Sequence, residues 1–144
     1  GPKSFEETEK SLAELHPIPS ELNPIQEVKD FKELDINKTS VYVIDYDMKQ
    51  AEILMVAKGQ AFNAEKMPLI KLHNEYFGGS MGSIVFQTLR ESKALAYSVY
   101  SAYSTPREND KSHYVTAYIG AQADKLAEAM LGMNELLTTL PEVE

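Results

Sequence analysis

Residues Gly78–Tyr103 read GGSMGSIVFQTLRESKALAYSVYSAY, and the way they divide into elements decides the fold. Gly78 and Gly79 stop whatever helix precedes them, because glycine accepts the left-handed backbone of a helix C-terminus. From about 80 to 92, Ile84, Val85 and Leu89 recur at helical spacing, with Phe86 at the margin of the same face. After Ala94 the segment LAYSVYSAY (95–103) alternates with period two. Ala96, Ser98, Tyr100 and Ala102 share one face, and Tyr97, Val99, Ser101 and Tyr103 share the other. The stretch is therefore a helix–turn–strand corner, with Arg90 at the helix end and Tyr97 at the strand start, seven residues apart.

Working upstream, Asn63 and Pro68 open a predicted helix over 65–77, since proline is tolerated in a first helical turn. Met67, Ile70 or Lys71, Asn74 and Phe77 lie about one turn apart along it. Before it, SVYVIDY (40–46) and AEILMVAK (51–58) are rich in β-branched and aromatic residues, and DMKQ between them suits a hairpin turn. Downstream, SHYVTAYIGA (112–121) is a further alternating strand beyond the polar loop STPRENDK. A last helix over 122–138 sets Leu126, Met130, Met133 and Leu137 on one face. The predicted order is β-β-α-α-β-β-α, an α+β domain with an antiparallel sheet and helices packed on one face. Residues 1–37 read as a separate stretch. Ser4 and Glu7 form a capping box for a helix with Phe5, Leu12 and Leu15 on one side. Pro17, Pro19 and Pro24 then make a connector, with one helical turn expected around IQEVKDF. Residues 38–144 form the domain proper.

The chain has 144 residues, 43% hydrophobic and 25% charged, which is enough for one domain with a buried core. A net charge of −8 argues against nucleic acid, whose phosphates call for a basic patch. With no cysteine, disulfides, thiol nucleophiles and thiolate metal sites are excluded, and the compartment is left open. The longest apolar runs are far too short to cross a bilayer, and the first residues hold no signal-peptide core.

The three histidines do not make a metal site. His16, His73 and His113 lie in the connector, a helix and a strand start, and neither H-E-x-x-H nor H-x-x-E-H occurs. His73 with Glu75 resembles an H-x-E fragment whose further ligands would have to be cysteines. GGSMGS has the wrong spacing for a nucleophile elbow, and neither phosphate-loop pattern is present. It reads instead as a joint between two helices that lets something approach the backbone closely. Tyr97, Tyr100, Tyr103, Tyr114 and Tyr118 could stack on a ligand, but aromatic pairs on adjacent strands more often pack against each other. Taken alone, Arg90 reads as a cation meeting the last carbonyls of a helix.

The longer run NEYFGGSMGSIVFQTLRESKALAYSVYSAY resembles the C-terminal, zinc-free half of pitrilysin/insulinase-type metallopeptidases, the inverzincins, and of their mitochondrial processing peptidase relatives. The family pattern is a Gly-rich loop, a serine, an apolar pair and L-R-E-x-x-G-L-A-Y-S. Here it is carried by Gly78, Gly79, Ser83, Leu89, Arg90, Glu91, Leu95, Ala96, Tyr97 and Ser98. The resemblance covers about 38–140. It departs at Ala94, where the family has glycine, and in a loop poorer in glycine.

The resemblance implies a LuxS/MPP-like metallopeptidase fold and no cofactor in this chain. Zinc is expected in a partner half, on the same polypeptide or a separate subunit, and peptide is the expected substrate. It also implies that Arg90 and Tyr97 are donated to that substrate, and that Gly78, Gly79, Ser80 and Ser83 belong to the peptide-binding surface. Amide hydrolysis passes through a tetrahedral oxyanion, which a guanidinium and a phenol can both stabilise. Family domains continue past a helix like the one before LPEVE, so a domain truncated at its C-terminus is expected. Two rivals stand beside this reading: an inert structural or peptide-binding module of the same fold, and an autonomous hydrolase using His73 and Glu75.

Overall fold

The computed structural model describes residues 1–17, 19–29 and 31–140. They form two compact units, Gly1–Lys32 and Glu33–Glu144. In the first, α1 (Phe5–Leu15) begins at the expected capping box. Ser4 Oγ accepts from the Glu7 N–H at 3.2 Å, and Glu7 Oε2 accepts from the Ser4 N–H at 2.8 Å. No residue of α1 is buried, and Phe5, Leu12 and Leu15 are all exposed. The helical turn expected around IQEVKDF does not form over 22–29, where Pro24 removes a donor and no helix-period face is buried.

The second unit is built on a three-stranded antiparallel sheet in the order β1 (Gln50–Ala61), β3 (Ser112–Gln122), β2 (Ser98–Ser104). Ile53, Ile119 and Val99 lie in register across it, as do Met55, Ala117 and Ser101, and these rows face the core. Leu54, Tyr118 and Tyr100 make the matching row on the other face. There Tyr100 and Tyr118 stack at 5.3 Å, the cross-strand packing role expected of the tyrosines. One of the two predicted first strands is absent. Residues 40–46 form no strand, and Val41, Tyr42, Val43 and Ile44 are between 81% and 88% exposed. Strand propensity records how well a side chain fits a pleated, half-buried surface, and without a ladder partner it does not hold a strand together.

Two helices follow β1. A 3₁₀ turn, capped by Asn63 Oδ1 on the Glu65 N–H at 2.9 Å, leads into α2 (Met67–Phe77) with Pro68 in its first turn. Ile70 and Phe77 are its buried residues. Helix 84–92 is α-helical only at its start and continues as a π-helix over Phe86–Ser92. The last helix, α3 (Leu126–Thr138), packs on the core face of the sheet and against the π-helix. Its buried stripe is Ala129, Gly132, Met133 and Leu136, whereas Met130 and Leu137 are exposed, so the face is rotated from the one expected. The cause is close approach: a Cβ on Gly132 would stand 2.8 Å from Leu89 Cδ2. The glycine lets the helix sit against Leu89, which keeps Met133 and Leu136 buried and leaves Met130 and Leu137 outside. Segment 141–144, within the stretch where a truncated domain was expected, lies outside the described residues.

Candidate functional site

The corner between the π-helix and β2 is set by backbone geometry. Lys93 N–H reaches Thr88 O at 3.0 Å, and Leu95 N–H reaches Leu89 O at 2.8 Å. This is a helix stop of the Schellman kind, widened by the π turn. Such a stop needs a left-handed residue just before the closing amide, and Ala94 occupies that place with φ 49°. The glycine of the family pattern therefore has a conformational reason, and alanine here carries strain. Leu89 and Leu95 anchor the two sides of the turn in the core, and Val85 is buried one turn earlier.

Arg90, next to buried Leu89, stands outward. Its guanidinium lies 4.8 Å from the Phe86 ring centroid, and its Nε is 3.7 Å from Glu91 Oε1. The side chain is 46% exposed, so the ion pair is a weak surface one. Tyr97 is 54% exposed. Its backbone N–H donates to Gly120 O at 2.9 Å, and its Oη accepts from Gln122 Nε2 at 2.8 Å. Arg90 and Tyr97 thus flank one hydrogen-bonded turn, but among the described residues no hydrogen bond or ion pair joins them. The expectation that Arg90 meets the last helix carbonyls is replaced by its seat on Phe86.

The glycine loop performs structural tasks. No glycine among the described residues has positive φ, so Gly78 does not end α2 by left-handed geometry as expected. It does so by contact. A Cβ at Gly78 would stand 2.4 Å from Ser101 O, and Ser101 N–H donates to Gly78 O at 3.2 Å. Asn74 completes the junction, accepting from Tyr103 N–H at 2.8 Å through Oδ1 and donating to Tyr103 O at 3.0 Å through Nδ2. Ser83 is fully buried and starts the next helix, its Oγ accepting from the Phe86 N–H at 3.5 Å. Gly78 and Ser83 are therefore buried, while Gly79 is exposed and Ser80 half-buried. Sequence reasoning missed Gln122, Asn74 and Phe86. Only the helical spacing of Asn74 and Phe86 had singled them out, and nothing local marks Gln122.

Elsewhere, His73 stacks on Phe77 at 5.2 Å and lines an apolar groove of about 410 Å³ with Tyr103, Val115 and Leu136, which neither Arg90 nor Tyr97 enters. Buried His113 lies against Phe62 and Tyr103, its Nδ1 3.0 Å from Ser104 O and its Nε2 accepting from Asn63 N–H at 3.4 Å. Among the described residues no group of three or more His, Asp or Glu is placed to hold a metal, and no helix is long and apolar enough to cross a membrane.

The sequence profile of the family described as "Peptidase M16 inactive domain" matches residues 4–140. The chain belongs to that family. A Bacillus subtilis (strain 168) protein described as the uncharacterized zinc protease YmxG is 36% identical over 94 residues, 65% of this chain and 22% of that protein. The crystal structure of a peptidase M16 inactive domain from Pseudomonas fluorescens matches with a TM-score of 0.53 at 19% identity, a likeness of fold. It covers 67% of this chain and 24% of that one. The chain thus spans about a quarter of the length of each relative. The insulinase/pitrilysin-type assignment and the antiparallel α+β fold stand, with three strands seen.

Proposed function

We propose that this M16 inactive domain is the zinc-free half of a zinc metallopeptidase, closing over a peptide held against a zinc-bearing half on the same polypeptide or another subunit. In this reading the zinc belongs to that half and supplies the hydrolytic chemistry, and this chain alone turns over no substrate. Tyr97 and Arg90 serve as donors to the oxyanion, and the exposed part of the loop, Gly79 and Ser80, meets the peptide backbone. The observation that carries the proposal is Tyr97: a half-exposed phenol fixed at its backbone and at its oxygen, beside a turn that also presents a guanidinium. A donor held before the reaction begins does not have to be reorganised during it, and one such donor contributes about 3 kcal/mol.

A second reading, an inert structural or peptide-binding module, is favoured by one feature: Arg90 is engaged by Phe86 and Glu91 and does not touch Tyr97. The two readings separate on Arg90→Ala in the intact zinc-bearing protein. The peptidase reading expects kcat to fall on the order of a hundredfold at unchanged zinc content. Unchanged turnover removes Arg90 from the chemistry, and absence of turnover in the wild-type protein supports the inert module.

A further inference from the structure

A phenol can give or take a hydrogen bond, and it stabilises an oxyanion only while its proton points at the substrate. We propose that Gln122 is the positioning residue that sets this polarity for Tyr97. Its Nε2 donates to Tyr97 Oη at 2.8 Å. An oxygen that accepts from an amide on one side keeps its own proton for another direction, and the accepted bond strengthens the one it gives. Tyr97 is 54% exposed, so that other direction opens toward the surface.

Gln122 is well placed for the task. It is the last residue of β3, in register with Gln50 of β1, and its carbonyl accepts from Lys125 N–H at 3.0 Å as the chain turns toward α3. Tyr97 is tied to the same strand two residues earlier, through Gly120 O at 2.9 Å. Both ends of the side-chain bond therefore rest on one strand, and the phenol keeps its orientation without a buried pocket.

This inference rests on the donor role given to Tyr97 above, and a double-mutant cycle in the intact zinc-bearing protein separates the two. Gln122→Ala is expected to lower kcat about fivefold with KM unchanged, the weight of one oriented neutral hydrogen bond. In a Tyr97→Phe background the same substitution is expected to change nothing further. Gln122→Glu keeps the shape but offers only acceptors at neutral pH, so it turns the phenol proton inward and is expected to be worse than alanine. Wild-type kcat in Gln122→Ala, equal losses in both backgrounds, or wild-type kcat in Gln122→Glu would each overturn the positioning role while leaving Tyr97 in place. Wild-type kcat in Tyr97→Phe would instead remove the donor role on which it rests. Matched zinc content and melting temperature across the set exclude a folding defect, and the isosteric Gln122→Glu protein carries the test should the alanine variant misfold.

Discussion

Ala94 and Gly78 show at single residues how the corner's sequence maps onto its shape. Ala94 holds φ 49°, a region an L-residue with a Cβ enters at a cost of about 1–2 kcal/mol. Ala94→Gly relieves that strain but gives the unfolded chain more freedom. The net expectation is a gain of about 1 kcal/mol, read as a higher urea midpoint at unchanged slope. A lower midpoint would mean the positive φ carries no strain. The reason glycine stands at this place in the family was legible only as a pattern, since the π-widened stop that requires it depends on Leu89 and Leu95 both reaching the core. Gly78 was legible as a helix end, yet its cause is tertiary: Ser101 of a strand more than twenty residues away occupies the space of its Cβ.

At the scale of elements, one outer edge of the sheet is covered. Asn74 bonds both main-chain groups of Tyr103, and Gly78 O takes the Ser101 N–H, so α2 covers the outer edge of β2. A covered edge is protected from pairing with another chain. Asn74→Ala leaves the Tyr103 N–H and C=O without these partners and is expected to cost about 2–3 kcal/mol, with faster hydrogen exchange at Tyr103 than at its β3-facing neighbours. Unchanged exchange there would show that the side-chain bonds do not seal the edge. Helix periodicity brought Asn74 to the correct face, but not to this role. For α3 the expected stripe held at Met133 and Leu126, but Met130 and Leu137 turn outward, because Gly132 faces inward by fitting Leu89 rather than by being large. Residues 40–46 fail as a strand for the converse reason, having propensity without a ladder.

In the unit Glu33–Glu144, a clasp holds the incoming chain to the sheet. Glu33 Oε1 accepts the Ser112 N–H at 2.9 Å, and Lys58 Nζ lies 3.6 Å from Glu33 Oε2 and 3.3 Å from Asp35 Oδ1. The Ser112 hydrogen bond holds the Glu33 carboxyl below its ordinary 4.5, while the bond to Asp35 holds the Lys58 ammonium above its ordinary 10.5. A lowered carboxyl contributes stability above its unfolded value, lost as pH falls through the folded one. A raised ammonium contributes below its unfolded value and is lost as pH rises through the folded one. The clasp is therefore closed between these limits and opens at its acid end as pH falls through the lowered Glu33 value. Base-corrected exchange at Ser112 is expected to accelerate there in the wild-type chain, and to lose that pH dependence in Glu33→Gln; the same profile in both would place the cause elsewhere. Most of the fold over 50–138 was legible from periodicity, which acts locally, and from glycine placement, which marked the helix end though not its tertiary cause. The clasp and the Gln122–Tyr97 bond join residues more than twenty positions apart, and no local pattern announces such pairs. The account's central claim, that this zinc-free domain lends a donor to chemistry performed elsewhere, is tested most directly by steady-state kinetics of Tyr97→Phe in the intact zinc-bearing protein. It predicts a fall in kcat on the order of a hundredfold with KM and bound zinc unchanged; wild-type kcat at equal zinc would contradict it.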